Sequence, residues 1–256
     1  MNRRQTAAVC LIGEELLSGK IDDLNGSYAI KQLRRVGVDL REVRMIGDEI
    51  PVIGSVVRSL AASYDIVFTS GGVGPTHDDL TMRGIAEAFD VPVQTHADML
   101  ALVRQRFGDR GDELRVWERM AELPKGCEIL LSPATRVPIF QMRNVWVLPG
   151  IPELFRLQLD QIVRRLEGKP VSIRTVFLTV GEGEIAAHLE NALVKVPSVK
   201  IGSYPVLHAQ DHRTRVTIEC VEPAHVEHAL AYLLECFDPS WVVRVGDSHR
   251  INDPDA

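Results

Sequence analysis

Apolar runs and amphipathic stretches alternate along the first two-thirds of the chain. The run Ala7–Ile12 has the pattern of a buried strand, and the segment 65–69 has the same pattern. Helical spacing of apolar residues predicts one helix between Asn25 and Gly37 and another from Pro51 to about Ser63. Repeated strand–helix units of this kind predict an α/β fold with a doubly wound, mostly parallel sheet covered by helices on both faces.

The pattern becomes less regular after Pro92. Helices are expected at 97–107 and 113–122, strands at 126–131, 137–142 and 145–148, and a further helix ending near Leu166. The segment 168–170 is the best candidate for a linker. Beyond it, the order strand–helix–strand–strand–helix–strand fits a smaller α+β domain of the split βαβ, ferredoxin-like type. We therefore expect domains at 1–168 and 169–246 and a flexible tail at 247–256.

The composition of the chain argues against several classes of function. The 256 residues are 45% hydrophobic and 25% charged, as in an ordinary globular protein, and the formal net charge is −6. This acidic balance argues against binding to nucleic acid or to an anionic membrane. The four cysteines are far apart and form no Cys-x-x-Cys pair, which argues against a zinc site. Since no signal peptide and no membrane-spanning run is recognisable, we expect a cytoplasmic protein.

A glycine-rich loop after the strand at 65–69 is the strongest functional signal. The residues expected to cradle a phosphate group of a small-molecule ligand are Gly71, Gly72, Gly74, Pro75 and Thr76. Glycines allow the backbone to approach an anion closely and to turn N–H groups toward it. The spacing matches neither the P-loop nor the dinucleotide-binding fingerprint, so the motif alone does not identify the ligand.

Carboxylates follow three of the predicted strands. Asp78 and Asp79 come after the glycine-rich loop, and Asp48 comes after the strand that ends near Ile46. Each could simply cap the helix that follows it. However, strand-end loops converge on one edge of a doubly wound sheet, which favours a shared site. Two carboxylates beside a phosphate cradle suit a divalent cation that bridges them to the ligand.

A polar loop follows the first strand. It supplies the further candidates for ligand binding Glu15, Ser18, Gly19, Asp23 and Asn25. The alternative interpretation is a surface loop in which Asn25 caps the next helix.

These loops resemble a known family. The sequence Ser-Gly-Gly-Val-Gly-Pro-Thr-His-Asp-Asp-Leu-Thr at 70–81 is similar to the signature of the molybdopterin-binding (MoaB/Mog-like) superfamily, in the form found in its CinA (competence/damage-inducible protein) branch. Gly-x-Glu-Leu-Leu-Ser-Gly with Asn25 matches the same branch. The segments 132–140, 143–152 and 201–205 are more similar to the molybdopterin-binding-like domain of eukaryotic FAD synthases. We expect a stand-alone form, because neither the deamidase domain of full-length CinA nor an adenylyltransferase domain is recognisable.

The resemblance implies metal-dependent cleavage of a nucleotide diphosphate, such as ADP-ribose or FAD, to AMP and a second monophosphate. On this interpretation Asp79 and Asp48, assisted by Asp78, hold a divalent metal (Mg²⁺, Mn²⁺ or Co²⁺), and Glu15, Ser18 and Asn25 position the substrate. The alternative is a protein that binds or adenylylates molybdopterin. A pocket that binds without catalysis, or a non-catalytic assembly subunit, also remains open, and the family implies a homo-oligomer.

Overall fold

The structure of this chain is a computed structural model that describes residues 4–131, 137–166, 168–207 and 209–246. The chain divides into two units, Met1–Gly168 and Lys169–Ala256. The tail at 247–256, for which the sequence predicts flexibility, lies outside the described residues. So do residues 132–136, the first part of one segment that resembles the FAD synthases.

A six-stranded sheet forms the centre of the first unit. The strands of this unit are β1 (Thr6–Ile12), β2 (Asp39–Ile46), β3 (Ile66–Ser70), β4 (Val93–Thr95), β5 (Glu122–Pro124), β6 (Glu128–Leu130), β7 (Ile139–Met142) and β8 (Val145–Leu148). The order in the sheet is β2-β1-β3-β8-β7-β6, in which the first four strands pair in parallel and β7 pairs antiparallel with both of its neighbours, β8 and β6. The predicted mostly parallel sheet is confirmed. The small antiparallel sheet of β4 and β5 was not predicted.

Helices cover both faces of this sheet, as the sequence predicts. They are α1 (Glu14–Leu17), α2 (Asn25–Arg35), α3 (Ile50–Ser63), α4 (Thr81–Phe89), α5 (Ala97–Phe107), α6 (Leu114–Glu118) and α7 (Pro152–Val163). Successive residues of β1 point to opposite faces. Ala8 and Cys10 join a core built with α3, α4 and α5, whereas Ala7 and Val9 join a core built with α2 and α7. The predicted helix at 113–122 is wrong in detail, because α6 is short and has 3₁₀ turns on both sides.

The second unit contains a four-stranded antiparallel sheet and two helices. Its elements are β9 (Ser172–Leu178), α8 (Glu182–Lys195), β10 (Lys200–Pro205), β11 (Thr214–Cys220), α9 (Pro223–Cys236) and β12 (Val242–Gly246). The strand order is β10-β11-β9-β12, with antiparallel pairing throughout. This is the split βαβ arrangement that the sequence predicts. Both helices contribute to one apolar core, with Ile185 from α8 and Leu233 from α9.

The strand order of the first unit determines where a ligand can bind. The chain passes from β1 to β2 on one side and then returns to place β3 on the other side of β1. The loops after β1 and β3 therefore leave the sheet on either side of a topological switch point, which is the usual ligand site of an open α/β sheet. Among the described residues, none of the helices is long and apolar enough to cross a membrane.

Candidate functional site

The glycine-rich loop leaves β3 in a conformation that only glycine adopts easily. Gly71 has φ 105°, and a Cβ atom there would lie 2.1 Å from the carbonyl oxygen of Ile12. Gly72 has φ 64°, and its Cβ atom would lie 2.4 Å from the Thr81 hydroxyl. That hydroxyl donates to the Gly71 carbonyl at 2.8 Å, and the Thr81 N–H donates to the Gly72 carbonyl at 3.0 Å. The start of α4 thus holds the first two residues of the loop in place.

Asp79 closes the other end of this loop. Its carboxylate accepts the N–H of Gly74 at 2.7 Å, the N–H of Thr76 at 2.8 Å and the Thr76 hydroxyl. Because α4 begins only at Thr81, the interpretation of Asp78 and Asp79 as caps of that helix is wrong. The side chain of Asp78 is 67% exposed, and its carboxylate lies 3.8 Å from the Nδ1 atom of His77. Asp79 therefore shapes the loop, whereas Asp78 is largely exposed, and a hydrogen bond with Thr76 lowers the pKa of its carboxyl.

Asn25 connects three segments that are distant in the sequence. It is the first residue of α2 and is only 6% exposed. Its amide nitrogen donates to the Ser70 hydroxyl at 2.9 Å and to the Gly150 carbonyl at 2.8 Å. Because a carbonyl can only accept, this contact fixes the orientation of the amide. Its Oδ1 atom is buried and has no hydrogen-bond partner within the described part of the chain.

The residue that caps α2 is Asp23, so the interpretation of Asn25 as the cap is wrong. The Asp23 carboxylate accepts the N–H of Gly26 at 2.8 Å and the N–H of Ser27 at 3.3 Å. With its start secured by Asp23, the helix can direct the Asn25 amide inward, toward the ends of β3 and β8. Both residues remain at the site, but they have different roles.

Asp48 also has a different partner from the one its position suggests. It does not cap α3; its carboxylate accepts the N–H of Glu14 at 2.8 Å and so supports the start of α1. Burial raises the pKa of Asp48, the Glu14 N–H opposes this, and the nearby carboxylates Glu15, Asp78 and Asp79 raise it further. The carboxylates of the three acidic loops therefore lie close enough to repel one another, which agrees with the expected convergence of these loops. Among the described residues, however, no three acidic, histidine or cysteine side chains are arranged to hold a metal ion.

A cavity of about 780 Å³ opens beside these loops, and all of its lining residues belong to the first unit. The predicted site residues that line it are Gly71, Gly72, Gly74, Pro75, Asp79, Glu15, Asp23 and Asn25. The predicted residues that do not line it are Ser18, Gly19, Thr76, Asp48 and Asp78. Ser18 and Gly19 are exposed, and within the described ranges the Ser18 hydroxyl donates only to the Glu15 carbonyl, at 3.3 Å.

Sequence reasoning missed much of the cavity wall. Ser70 and Gly150 hold the Asn25 amide, and further lining residues are Met99, Phe107, Trp117 and Met120. The segment 149–152 directly follows a buried strand, which was a signal that it belongs to the same edge of the sheet. The residues of α5 and α6 gave no such signal, because apolar spacing predicts burial but not burial against a cavity.

Comparisons with known proteins agree with this architecture. Residues 8–181 match the model of the family described as "Probable molybdopterin binding domain", and residues 170–246 match "FAD synthase, middle domain". A "Probable FAD synthase" from Caenorhabditis elegans is 30% identical over 92% of this chain and 50% of its own length. A "CinA-like protein" from Myxococcus xanthus is 30% identical over 88% of this chain and 56% of its own. The chain thus spans about half the length of these two curated relatives.

Among solved structures, that of "the protein CinA with unknown function" from Thermoplasma acidophilum is 26% identical. It superposes with a TM-score of 0.58 and covers 63% of this chain and 98% of that one. This similarity supports the doubly wound fold of the first unit.

Proposed function

Because this chain belongs to the molybdopterin-binding domain family, in the branch that includes CinA-like proteins and FAD synthases, we propose that it binds a phosphorylated, nucleotide-like ligand at the glycine-rich loop and hydrolyses its diphosphate. The substrate would be ADP-ribose or FAD, and the products AMP and a second monophosphate. A divalent cation would be required. A cytoplasmic location and a homo-oligomeric state remain predictions.

The observation that carries this proposal is a pair of available N–H groups in the glycine-rich loop. In the part of the chain that the structure describes, the N–H groups of Gly72 and Val73 have no hydrogen-bond acceptor, and both residues line the cavity. The neighbouring N–H groups of Gly71, Gly74 and Thr76 are all used within the protein. Two adjacent free donors at the end of a parallel strand suit a phosphate oxygen.

The acidic cluster supports a role for a divalent cation. Burial is the main cause of the raised pKa of Asp48, and a cation beside it would relieve the additional repulsion from Glu15, Asp78 and Asp79. Asp48 and Asp79 would hold the ion, and phosphate oxygens of the ligand would complete its coordination, which is the usual arrangement for Mg²⁺. When bound, the cation supplies charge neutralisation at the diphosphate and lowers the pKa of water.

The remaining residues would position the ligand. The Gly72 and Val73 N–H groups would bind one phosphate, and the constraints on Gly71 and Gly72 would keep these donors in place before the ligand arrives. Glu15, which lines the cavity close to Asp48, would orient an attacking water molecule by accepting its hydrogen bond. Asn25 would accept a hydrogen bond from the ligand through its unpartnered Oδ1 atom.

The test incubates the protein with ADP-ribose, FAD, NAD or ATP, each with Mg²⁺, Mn²⁺ or Co²⁺, and measures the release of AMP by chromatography. We expect release from ADP-ribose or FAD, abolished by chelation and reduced at least about 100-fold in Asp79→Asn. Asp90→Asn is a matched control, because Asp90 is an exposed residue at the end of α4 with φ 53°, a conformation that asparagine also adopts. Absence of turnover with all four substrates would contradict the hydrolase proposal.

The second candidate function is binding or adenylylation of molybdopterin, which is favoured by the description of the family matched at residues 8–181. It predicts a pterin that copurifies with the protein and is detectable by its fluorescence after denaturation. A cavity that binds pterin tightly, together with no AMP release from the dinucleotides, would establish this candidate instead of the hydrolase.

A further inference from the structure

The cavity is lined by two chemically different groups of residues. The glycine-rich loop together with Glu15, Asp23, Asn25 and Asp79 contributes N–H groups, carboxylates and an amide. The helices α5 and α6 and the residues beside them contribute the apolar and aromatic side chains of Met99, Leu102, Val103, Phe107, Trp117 and Met120. A ligand that contacts both groups must itself have a polar and an apolar half.

The size of the cavity supports a ligand with two halves. Its volume of about 780 Å³ lies in the upper part of the range of about 300–1,000 Å³ that is typical of small-molecule sites. A single phosphorylated nucleoside held by the polar group of residues would occupy only part of this volume. Apolar cavity walls contribute favourably to binding only when another apolar surface displaces water from them.

A stacked aromatic pair belongs to the apolar group of lining residues. The rings of Phe107 and Trp117 are parallel within 9°, with their centroids 4.0 Å apart. Both side chains are half-buried and pack against the core cluster that contains Met99 and Val103. The pair therefore has a fixed position, which reduces the entropy lost when a third ring contacts it. Arg106 is the only cationic residue among those described that line the cavity, and its guanidinium lies 5.4 Å from the Phe107 ring centroid.

We propose that the Phe107–Trp117 pair is a recognition platform for a flat, largely apolar ring system on the second half of the ligand. The proposal rests on the proposed function, since it assumes that the diphosphate occupies the glycine-rich loop. Of the two substrate types, it selects a nucleoside diphosphate joined to a polycyclic ring, as in FAD, over one joined to a bare sugar, as in ADP-ribose. Sugar hydroxyl groups placed against Phe107 and Trp117 would lose hydrogen bonds to water without recovering them.

The experiment measures binding without turnover. The purified chain is titrated by calorimetry with FAD, ADP-ribose and ADP in the presence of a chelator, which keeps the ligands intact. We expect FAD to bind at least about 10-fold more tightly than ADP-ribose, and ADP-ribose to bind about as tightly as ADP. Trp117→Ala should weaken FAD binding about 10-fold, in line with the loss of one aromatic stacking contact, and should change ADP-ribose binding less than about twofold.

Trp117→Phe is the matched variant, because it retains a ring, and we expect it to lose less than about threefold in FAD affinity. Thermal unfolding of both variants shows whether the fold is intact, and the comparison of ligands on the unaltered protein decides the proposal even if Trp117→Ala does not fold. Equal affinities for FAD and ADP-ribose, or an equal loss for both in a folded Trp117→Ala variant, would overturn the platform.

These outcomes are separable from those of the hydrolysis test. Tight, Trp117-dependent binding of FAD without AMP release after addition of metal would contradict the hydrolase and leave the platform standing. AMP release from ADP-ribose and FAD with the same affinity and rate would overturn the platform and leave the hydrolase standing.

Discussion

Two loops leave neighbouring strands at the switch point of the first unit, and they are constructed differently. The loop after β3 is held by hydrogen bonds to Asp79 and Thr81 and by the close approach of Gly71 to Ile12. The segment after β1 has its middle, around Ser18 and Gly19, exposed to solvent. One loop therefore has a conformation imposed by its surroundings, whereas the other is held mainly by hydrogen bonds within itself, such as those from the N–H groups of Ser18 to Glu14 and of Lys20 to Glu15. Substitutions in the first loop are therefore expected to disturb the fold more than substitutions in the second.

The largest effect should come from placing a side chain on the constrained loop. We expect Gly71→Ala to lower the free energy of unfolding by about 3 kcal/mol, because the added methyl group meets the Ile12 carbonyl and φ is 105°. Gly19 also has a positive φ, of 69°, but a Cβ atom there would have no neighbour within 4 Å. Gly19→Ala should therefore cost only about 1 kcal/mol. Urea unfolding of the two variants measures both, and equal losses would show that the loops do not differ in this way.

The next effect concerns the carboxylates that secure each loop. Asp79→Ala removes the acceptor of the Gly74 and Thr76 N–H groups and should cost about 2 kcal/mol, with faster hydrogen exchange at both amides. Asp23→Ala removes the cap of α2 and should cost about 1 kcal/mol. Hydrogen exchange resolved by residue tests the comparison. Unchanged protection of Gly74 and Thr76 in Asp79→Ala would mean that the loop keeps its shape without the carboxylate.

Asp48, in the loop after β2, tests whether a cation lies between it and the glycine-rich loop. Its pKa is raised in the folded state, so the stability associated with its protonated form is present at low pH and is lost as the pH rises through the folded-state pKa. A cation should offset this loss, and Mg²⁺ should therefore stabilise the protein by about 1–2 kcal/mol at pH 7 and much less at pH 4. Asp48→Asn keeps an acceptor for the Glu14 N–H but removes the charge.

This variant should lose most of the stabilisation by Mg²⁺ at pH 7, as measured by urea unfolding at the two pH values. An equal Mg²⁺ effect in the variant and the unaltered protein would exclude Asp48 as a ligand.

The smallest effect is expected at Ser18. Its hydroxyl is exposed and donates to the carbonyl of Glu15, three residues before it. Ser18→Ala should change the free energy of unfolding by less than about 0.5 kcal/mol and ligand affinity by less than twofold. A loss of affinity of tenfold or more by calorimetry would restore the substrate-positioning role that the sequence suggested and would mean that the segment after β1 closes over the bound ligand.

Local patterns in the sequence were sufficient to predict the parallel sheet, the helices on both faces and the second unit. Continuous apolar runs such as Ala7–Ile12 and the glycines after β3 carry that information in adjacent residues. The short strands β4 and β5 were missed because a segment of three residues is too short to show an alternating pattern of apolar and polar positions. The contact of Asp48 with Glu14 joins residues that are 34 positions apart, and the contact of Asn25 with Gly150 joins residues that are 125 positions apart. Local patterns along the chain do not encode contacts over such distances.

The bonds of the Asn25 amide also have a consequence for the order of folding. Residues 25, 70 and 150 can meet only after β1, β3 and β8 have paired. The ligand site therefore cannot form from its separate sequence motifs alone. Closing such a long loop is entropically unfavourable until most of the sheet exists. The site is therefore a late product of folding, and a bound ligand should slow unfolding of the first unit without accelerating its formation.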